Sequence, residues 1–173
     1  SKANEEQAQI KRWFGIDRKN AAISILGERQ YNVPELGFKY HLNDYAAALG
    51  LANLEGFSER LKLRQDMAAF YDTELALVSG IKPFKYNTDR TSAYWLYGFH
   101  VEQRENFIRA LKQKGISASV IHQRIDRNQV FGGVRKDLPA QEQFDATQIH
   151  IPIHDGVTKD QLAYIADTIK LGW

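Results

Sequence analysis

The hydrophobic pattern is most regular in the stretch that follows Asn43. Apolar side chains recur there at helical spacing and would share one face of a helix: Leu42, Tyr45, Ala46, Leu49 and Ala52. Asn43 or Asp44 is the expected N-cap, because a short side-chain oxygen can accept a hydrogen bond from the free amides of the first helical turn. The pattern therefore predicts a capped helix that bends or breaks near Gly56.

Helices are also predicted on both sides of this one. Upstream, residues 4–7 resemble a capping box, and the short helix that follows should end at Gly15. Its buried side would consist of Ile10, Trp13 and Phe14. Downstream, a second apolar series predicts a long core helix that ends near Gly80, with these members: Leu54, Phe57, Leu61, Ala68, Tyr71 and Leu75.

Short strands follow a polar linker at residues 85–91. Three segments are predicted as strands: 93–101, which is rich in aromatic residues, 116–121 and 148–152. A helix between the first two should stop at Gly115, a position suited to a left-handed C-cap.

The last helix should begin at Thr158, which opens a capping box with Gln161. The alternation of strands and helices predicts an α/β fold, with a small sheet covered by helices in a C-terminal domain over residues 81–173. Residues 1–80 would form a region of helices and loops that precedes this domain in the chain.

Composition narrows the class of protein. With 43% hydrophobic and 25% charged residues among 173, the chain reads as a soluble globular domain. No apolar run is long enough to cross a membrane, and a net charge of +2 gives no field that favours nucleic acid. The absence of cysteine excludes disulfides and thiolate metal sites and leaves a cytoplasmic location as the expectation.

The usual signatures of metal and nucleophilic sites are missing. His150 and His154 are close in sequence, but Pro152 between them makes a shared helical face, and so a metal site, unfavourable. The chain also lacks a Gly-x-Ser-x-Gly motif, a phosphate loop and a dinucleotide fingerprint.

The loop before Asn43 carries Lys39, Tyr40 and His41. A helix N-terminus offers unpaired amides, which together with a nearby cation can hold a phosphate group. The alternative is an ordinary capped core helix with a solvated lysine. The interval 15–42 has no sustained hydrophobic period and more basic than acidic residues, which favours a functional loop.

These residues also resemble a known family. Gly37-Phe38-Lys39-Tyr40-His41-Leu42-Asn43-Asp44, with the alanine- and leucine-rich run after it, is similar to the central signature of the DegT-type nucleotide-sugar aminotransferases. Residues 12–18 upstream, and 138–139 with 151–158 downstream, agree with that family in order and spacing. The resemblance implies the C-terminal part of a fold-type I enzyme that uses pyridoxal phosphate.

The same resemblance implies a homodimer in which the loop before the Asn43 helix reaches the cofactor phosphate of the neighbouring subunit. The candidates for that contact are Lys39, Tyr40, His41 and Asn43. It further implies a nucleotide-linked keto sugar as substrate and glutamate as the amino donor.

A second candidate site follows the strand predicted at 116–121. It consists of His122, Arg124 and Asp126, which precede a Val-Phe pair in an order found in one subgroup of the family. Ile125 and Asn128 depart from that subgroup, where a polar amide and a histidine are expected. The resemblance implies contact with the sugar nucleotide, and a guanidinium can bind a diphosphate through two parallel bonds. The alternative is a surface arginine paired with Asp126.

In this family the Schiff-base lysine, which holds the cofactor covalently, lies upstream of the Trp-Phe-Gly-Ile segment, so the chain would begin after it. We therefore expect no transaminase activity from this chain alone. The competing hypotheses are a non-catalytic α/β module that binds a ligand or a protein, and a purely structural fragment. Residues 15–42 and 122–136 are expected to face ligand and to be poorly ordered without it.

Overall fold

The computed structural model describes residues 1–173, which form two compact units, Ser1–Glu55 and Gly56–Trp173. This boundary differs from the one expected at residues 80 and 81. The reason is that helix α3 (Phe57–Leu75) contributes Tyr71 and Leu75 to the same hydrophobic core as the sheet, so it belongs to the C-terminal unit.

The first unit contains two helices and a short hairpin. Helix α1 spans Lys2–Lys11, strands β1 (Ala22–Ile23) and β2 (Arg29–Gln30) pair antiparallel, and helix α2 spans Asp44–Leu54. Gly15 is the only residue of this unit that is buried. The first unit therefore has no hydrophobic core of its own.

Helix α1 begins earlier than the sequence suggested. Ser1 is its N-cap, because the Ser1 hydroxyl accepts a hydrogen bond from the Asn4 amide at 3.4 Å. Ile10 and Trp13 are half-buried, as their place on the predicted inner side requires, but Phe14 is 44% exposed. The expected start at Asn4 was wrong, since an oxygen three residues earlier supplies the cap.

Helix α2 confirms the predicted cap and contradicts the alternative of an ordinary core helix. Asn43 Oδ1 accepts from the Ala46 amide at 2.8 Å, and Gly56, with a φ of +66°, separates α2 from α3. No residue of α2 is buried, and Tyr45 and Leu49 are 86% and 66% exposed. A helix that is apolar on most of its surface is normally covered, and in this chain the apolar face of α2 is exposed.

The second unit is a three-stranded antiparallel sheet with helices packed on it. The strand order is β3-β4-β5, with β3 at Ile81–Pro83, β4 at Tyr97–Val101 and β5 at Gln148–Ile151. Helices α4 (Arg104–Gln113), α5 (Pro139–Thr147) and α6 (Lys159–Lys170) follow in chain order, with 3₁₀ turns at Ile125–Arg127 and Gln129–Phe131. The α/β class predicted from the sequence is confirmed.

The core lies on one face of this sheet. Strand register sets Phe99 of β4 opposite Ile149 of β5, and both are fully buried. Tyr71, Phe107 and Ile165, from α3, α4 and α6, belong to the same cluster. Burying these large side chains is the main stabilising term for the unit.

Local start and stop signals in this unit were predicted correctly. Gly115 has a φ of +72° directly after α4, and the Ile116 amide donates to the Leu111 carbonyl at 2.9 Å. Thr158 forms the capping box of α6 with Gln161. These signals act within one helical turn, which is why they can be read from the sequence.

Two boundaries and one strand were predicted wrongly. Helix α3 ends at Leu75 instead of near Gly80, and β4 begins at Tyr97 instead of Ala93. Residues 116–121 form no strand, but only one bridge in which Ser119 and His150 exchange backbone hydrogen bonds of 3.0 and 3.1 Å. Strand β5 ends next to Pro152, which has no amide to extend that ladder.

Candidate functional site

The loop that precedes α2 is held in place by backbone hydrogen bonds. The Phe38 amide donates to the Lys11 carbonyl at 2.7 Å, and the Tyr40 amide donates to the Arg12 carbonyl at 2.9 Å. Lys39 also forms an isolated bridge with Trp13. The loop therefore follows the end of α1, and these backbone hydrogen bonds fix its path.

At the N-terminus of α2 several hydrogen-bond donors have no acceptor within the chain. Asn43 Oδ1 accepts a hydrogen bond from the Ala46 amide, whereas the amides of Asp44 and Tyr45 donate to no acceptor in the chain. Lys39 is exposed and forms no ion pair. Free amides and an unpaired ammonium group are the donors that an anion such as phosphate needs.

Two aromatic contacts shape the same loop. The His41 ring lies edge-on to Trp13, with 4.4 Å between ring centroids, and its Nδ1 is buried without a hydrogen-bond partner. Tyr40 is 76% exposed and stacks on Phe38 at 5.4 Å. A buried ring nitrogen without a partner is uncommon in folded proteins, and it marks His41 as a group that a ligand can satisfy.

The loop after His122 is organised by a buried ion pair. Arg124 Nε and Nη2 donate to the two carboxylate oxygens of Asp126 at 2.6 and 2.7 Å, and Arg124 Nη2 also donates to the Arg135 carbonyl at 2.9 Å. The hydrogen bond from Arg124, reinforced by the Arg135 amide, lowers the pKa of Asp126 to about 2. Arg124 is paired with Asp126, as one interpretation predicted, but in the interior and not at the surface.

Asp145 of α5 anchors the same loop from a distant part of the sequence. Its carboxylate accepts from the Arg124 backbone amide at 3.2 Å and from Arg127 Nη2 at 2.7 Å. The Asp145 side chain is almost fully buried. Sequence reasoning missed this residue, because nothing in the pattern around it distinguishes it from the exposed polar residues of α5.

His122 lies beside a second group of aromatic and imidazole rings. Its ring is 5.6 Å from that of Trp95, and its carbonyl accepts a hydrogen bond from Gln148 at 2.8 Å. Burial lowers the pKa of nearby His150, whose Nδ1 has no hydrogen-bond partner. Trp95 and His150 also line a cavity of about 610 Å³ in the second unit. Sequence reasoning assigned both residues to predicted strands and overlooked them as site residues.

The predicted site residues therefore fall into one group in each unit. Lys39, Tyr40, His41 and Asn43 lie together before α2, and His122, Arg124 and Asp126 lie together in the loop of the second unit. Their roles toward cofactor and substrate stay predictions. No cluster of three or more metal-ligating side chains occurs in the chain, and none of its helices is both long and apolar enough to span a bilayer.

Comparison with known proteins gives the family. The model of the DegT/DnrJ/EryC1/StrS aminotransferase family matches residues 2–170, which is nearly the whole chain. The chain belongs to this family.

Solved structures agree with that assignment. The sugar aminotransferase CalS13 of Micromonospora echinospora superposes on the whole chain with a TM-score of 0.89 and 34% sequence identity. AtS13 of Actinomadura melliaura does so with a TM-score of 0.86 and 33% identity. The chain covers 46% and 45% of those two proteins.

Curated relatives with defined activities are more distant. GDP-perosamine synthase of Caulobacter vibrioides is 29% identical over 76% of this chain and 37% of its own length. UDP-2-acetamido-2-deoxy-3-oxo-D-glucuronate aminotransferase of Pseudomonas aeruginosa is 30% identical over 73% of this chain and 35% of its own length. The chain thus spans less than half the length of the relatives it matches.

Proposed function

We propose that this chain forms part of a pyridoxal-phosphate-dependent aminotransferase that aminates a nucleotide-linked keto sugar, for cell-surface polysaccharide or deoxyaminosugar synthesis. The supporting observation is the family match over residues 2–170, together with the likeness of the whole chain to a sugar aminotransferase at 34% identity. Relatives named for UDP- and GDP-linked sugars support the substrate class.

The residues before α2 fit the phosphate of the cofactor. Pyridoxal phosphate acts as an electron sink in amino-group chemistry. Lys39, the free amides at the start of α2 and the unpartnered His41 Nδ1 are cationic or hydrogen-bonding groups without internal partners. We assign the contact to Lys39, Tyr40, His41 and Asn43 as a group.

The loop of the second unit is assigned to the nucleotide sugar. His122 is exposed and can donate to a substrate, whereas Arg124 is buried and keeps one nitrogen, Nη1, without an acceptor in the chain. Asp126 fixes the orientation of Arg124. The homodimer, glutamate as amino donor and a cytoplasmic location belong to the same proposal. The exposed apolar surface of α2 supports an assembly that covers it.

The lysine that holds the cofactor is proposed to lie outside these residues. Every lysine of the chain is exposed, and Lys62 and Lys170 are engaged in ion pairs. A lysine that acts as nucleophile needs a dry or cationic setting that keeps its amine neutral. None of the lysines here has a dry setting, so we expect the isolated chain to be inactive.

Reduction with borohydride tests the proposal in two preparations. The 173-residue chain is mixed with pyridoxal phosphate, reduced and mapped by mass spectrometry, and turnover of UDP- and GDP-linked keto sugars is assayed with glutamate. We expect neither stoichiometric labelling of one lysine nor turnover. The protein expressed from its native reading frame is expected to show both if that frame supplies the lysine. Ligand binding without turnover in the second preparation would instead support a non-catalytic module.

A further inference from the structure

Two arginines of this chain differ from all the others. Every arginine from residue 64 onward donates a side-chain hydrogen bond to a carboxylate or a carbonyl: Arg64, Arg90, Arg104, Arg109, Arg124, Arg127 and Arg135. Arg29 donates to the Arg18 carbonyl, and Arg60 is also engaged. Arg12 and Arg18 alone have guanidinium groups that donate to no acceptor in the chain.

Both free arginines line one cavity of the first unit. Its volume is about 710 Å³, and Lys19, Trp13 and His41 are also part of its lining. Lys19 forms no ion pair either. Three cations, none of which forms an ion pair in the chain, therefore line a space whose volume lies within the range of small-molecule sites.

The cavity also carries two carboxylates, Glu6 and Asp17. Asp17 is held by Asn20, whose amide and side chain donate to its two oxygens at 3.1 and 2.7 Å, and these bonds lower the pKa of Asp17. Glu6 forms no ion pair in the chain and can accept from a hydroxyl or amide donor, whereas both oxygens of Asp17 already accept from Asn20. A ligand that suits the lining of this cavity has a strongly anionic part and a part rich in hydrogen-bond donors.

An aromatic surface lies between the charged groups. The guanidinium of Arg18 lies 5.2 Å from the centre of the Trp13 ring, and the His41 ring meets the edge of Trp13 at 4.4 Å. The buried Nδ1 of His41 has no partner. A flat ring can stack on such a surface, and a guanidinium next to it can bind phosphate oxygens through parallel hydrogen bonds.

We propose that this cavity binds the nucleoside diphosphate part of the sugar nucleotide, with Arg12, Arg18 and Lys19 on the diphosphate and Trp13 against the base. The inference rests on the proposed function, which supplies a nucleotide sugar as ligand. A diphosphate fits better than the single phosphate of the cofactor, because three unpaired cations are present and an aromatic surface adjoins them. Lys39, Tyr40 and Asn43 do not line the cavity, so His41 is the one residue that the two anion sites share.

Isothermal titration of the full chain tests this assignment. UDP and GDP are titrated in parallel with inorganic pyrophosphate and with pyridoxine 5′-phosphate, which carries the cofactor's phosphate ester but cannot react with a lysine. We expect UDP or GDP to bind more tightly than both controls, and Arg12→Gln and Arg18→Gln to weaken that binding about 10-fold or more each. Lys2→Gln removes a cation of the same unit that does not line the cavity, and should change binding less than about twofold.

Circular dichroism checks that each variant is folded, and Arg18→Lys, which keeps the charge, should retain part of the affinity. The proposal is overturned if neither nucleotide binds, if pyrophosphate or pyridoxine phosphate binds as tightly as the nucleotides, or if Lys2→Gln costs as much as Arg18→Gln. The titration requires no cofactor and no turnover. Failure of the proposed function would therefore appear as an inactive native-length protein that still binds UDP or GDP through Arg12 and Arg18.

Discussion

Arg124 and Asp126 form a two-bond ion pair inside the second unit, with Nε–Oδ1 and Nη2–Oδ2 distances of 2.6 and 2.7 Å. Their side chains are only 4% and 11% exposed. The Arg135 amide donates to Asp126 as well, at 2.9 Å, so the pair closes the loop between residues 124 and 135. Buried charges have lost their hydration, and each partner therefore depends on the other.

Loss of the Asp126 charge should destabilise the second unit. In Asp126→Asn the Arg124 guanidinium stays buried and keeps only neutral acceptors, so we expect the melting temperature to fall by several degrees. Asp137→Asn is the matched control, because Asp137 pairs with Arg135 at the surface and is 65% exposed. Differential scanning calorimetry should show little change in that control. Equal melting temperatures for the two variants would contradict a structural role for the buried pair.

The same carboxylate should make stability depend on pH in the acid range. The pKa of Asp126 is about 2 in the folded protein, below the value of about 4 that an unfolded aspartate has. Its contribution is therefore complete above pH about 4 and is lost as the pH falls toward 2. Urea midpoints should be measured from pH 2 to 6 for the wild type and for Asp126→Asn. The wild type should have the higher midpoint near pH 6, and the two midpoints should converge near pH 2. A difference in urea midpoint that does not change with pH would show that protonation of Asp126 does not control stability in this range.

Kinetics of the native-length enzyme can separate the substrate loop from the cofactor loop. Arg124→Ala removes Nη1, which has no acceptor in the chain, together with the ion pair that anchors the loop, so we expect the Michaelis constant for the sugar nucleotide to rise about 10-fold or more. Cofactor retention should change much less. Arg109→Gln, on the exposed face of α4, is the control and should leave both unchanged. Unaltered sugar kinetics in Arg124→Ala would remove this residue from the substrate site.

Glycine is required at position 37 by a close backbone approach. A Cβ at Gly37 would lie 1.8 Å from the Gly15 nitrogen and 2.3 Å from the Phe14 carbonyl carbon, and backbone atoms cannot yield by that much. Gly37→Ala should therefore separate the loop from residues 11–14 and speed hydrogen exchange at the Phe38 amide.

Gly50 provides the control for that substitution. It lies in the middle of α2, where an added Cβ meets no atom within 4 Å. Gly50→Ala should stabilise the helix by about 0.5–1 kcal/mol and slow exchange within it. Faster exchange at Phe38 in both variants would show that the effect is not specific to the approach between Gly37 and Gly15.

The core prediction concerns Ile149, which is fully buried opposite Phe99. Ile149→Ala removes apolar contacts and leaves a cavity, so it should lower the free energy of unfolding by about 2–5 kcal/mol. Leu77 is 98% exposed, and Leu77→Ala should change the free energy of unfolding by less than about 0.5 kcal/mol. Urea denaturation followed by circular dichroism gives both values. A small effect at Ile149 would mean that the sheet is not the centre of the core.

The sequence alone determined the features that depend on neighbouring residues. The caps at Asn43 and Thr158 and the left-handed residue at Gly115 each satisfy or turn the backbone within one helical turn, so a short pattern specifies them. The ordered motifs also sufficed to recognise the family. The start of α1 was misplaced because two polar residues near the N-terminus could act as the cap.

Only the tertiary structure decided which groups are buried and which are paired. Asp145 reaches Arg124 across the sequence, and no local pattern marks an acidic residue for such a contact. Residues 116–121 alternate as a strand does, yet they pair with β5 at a single position, because a ladder requires a matching length of partner backbone. Tertiary structure likewise decides that the guanidinium groups of Arg12 and Arg18 donate to no acceptor, since an ion pair depends on distance in space and not on distance along the chain.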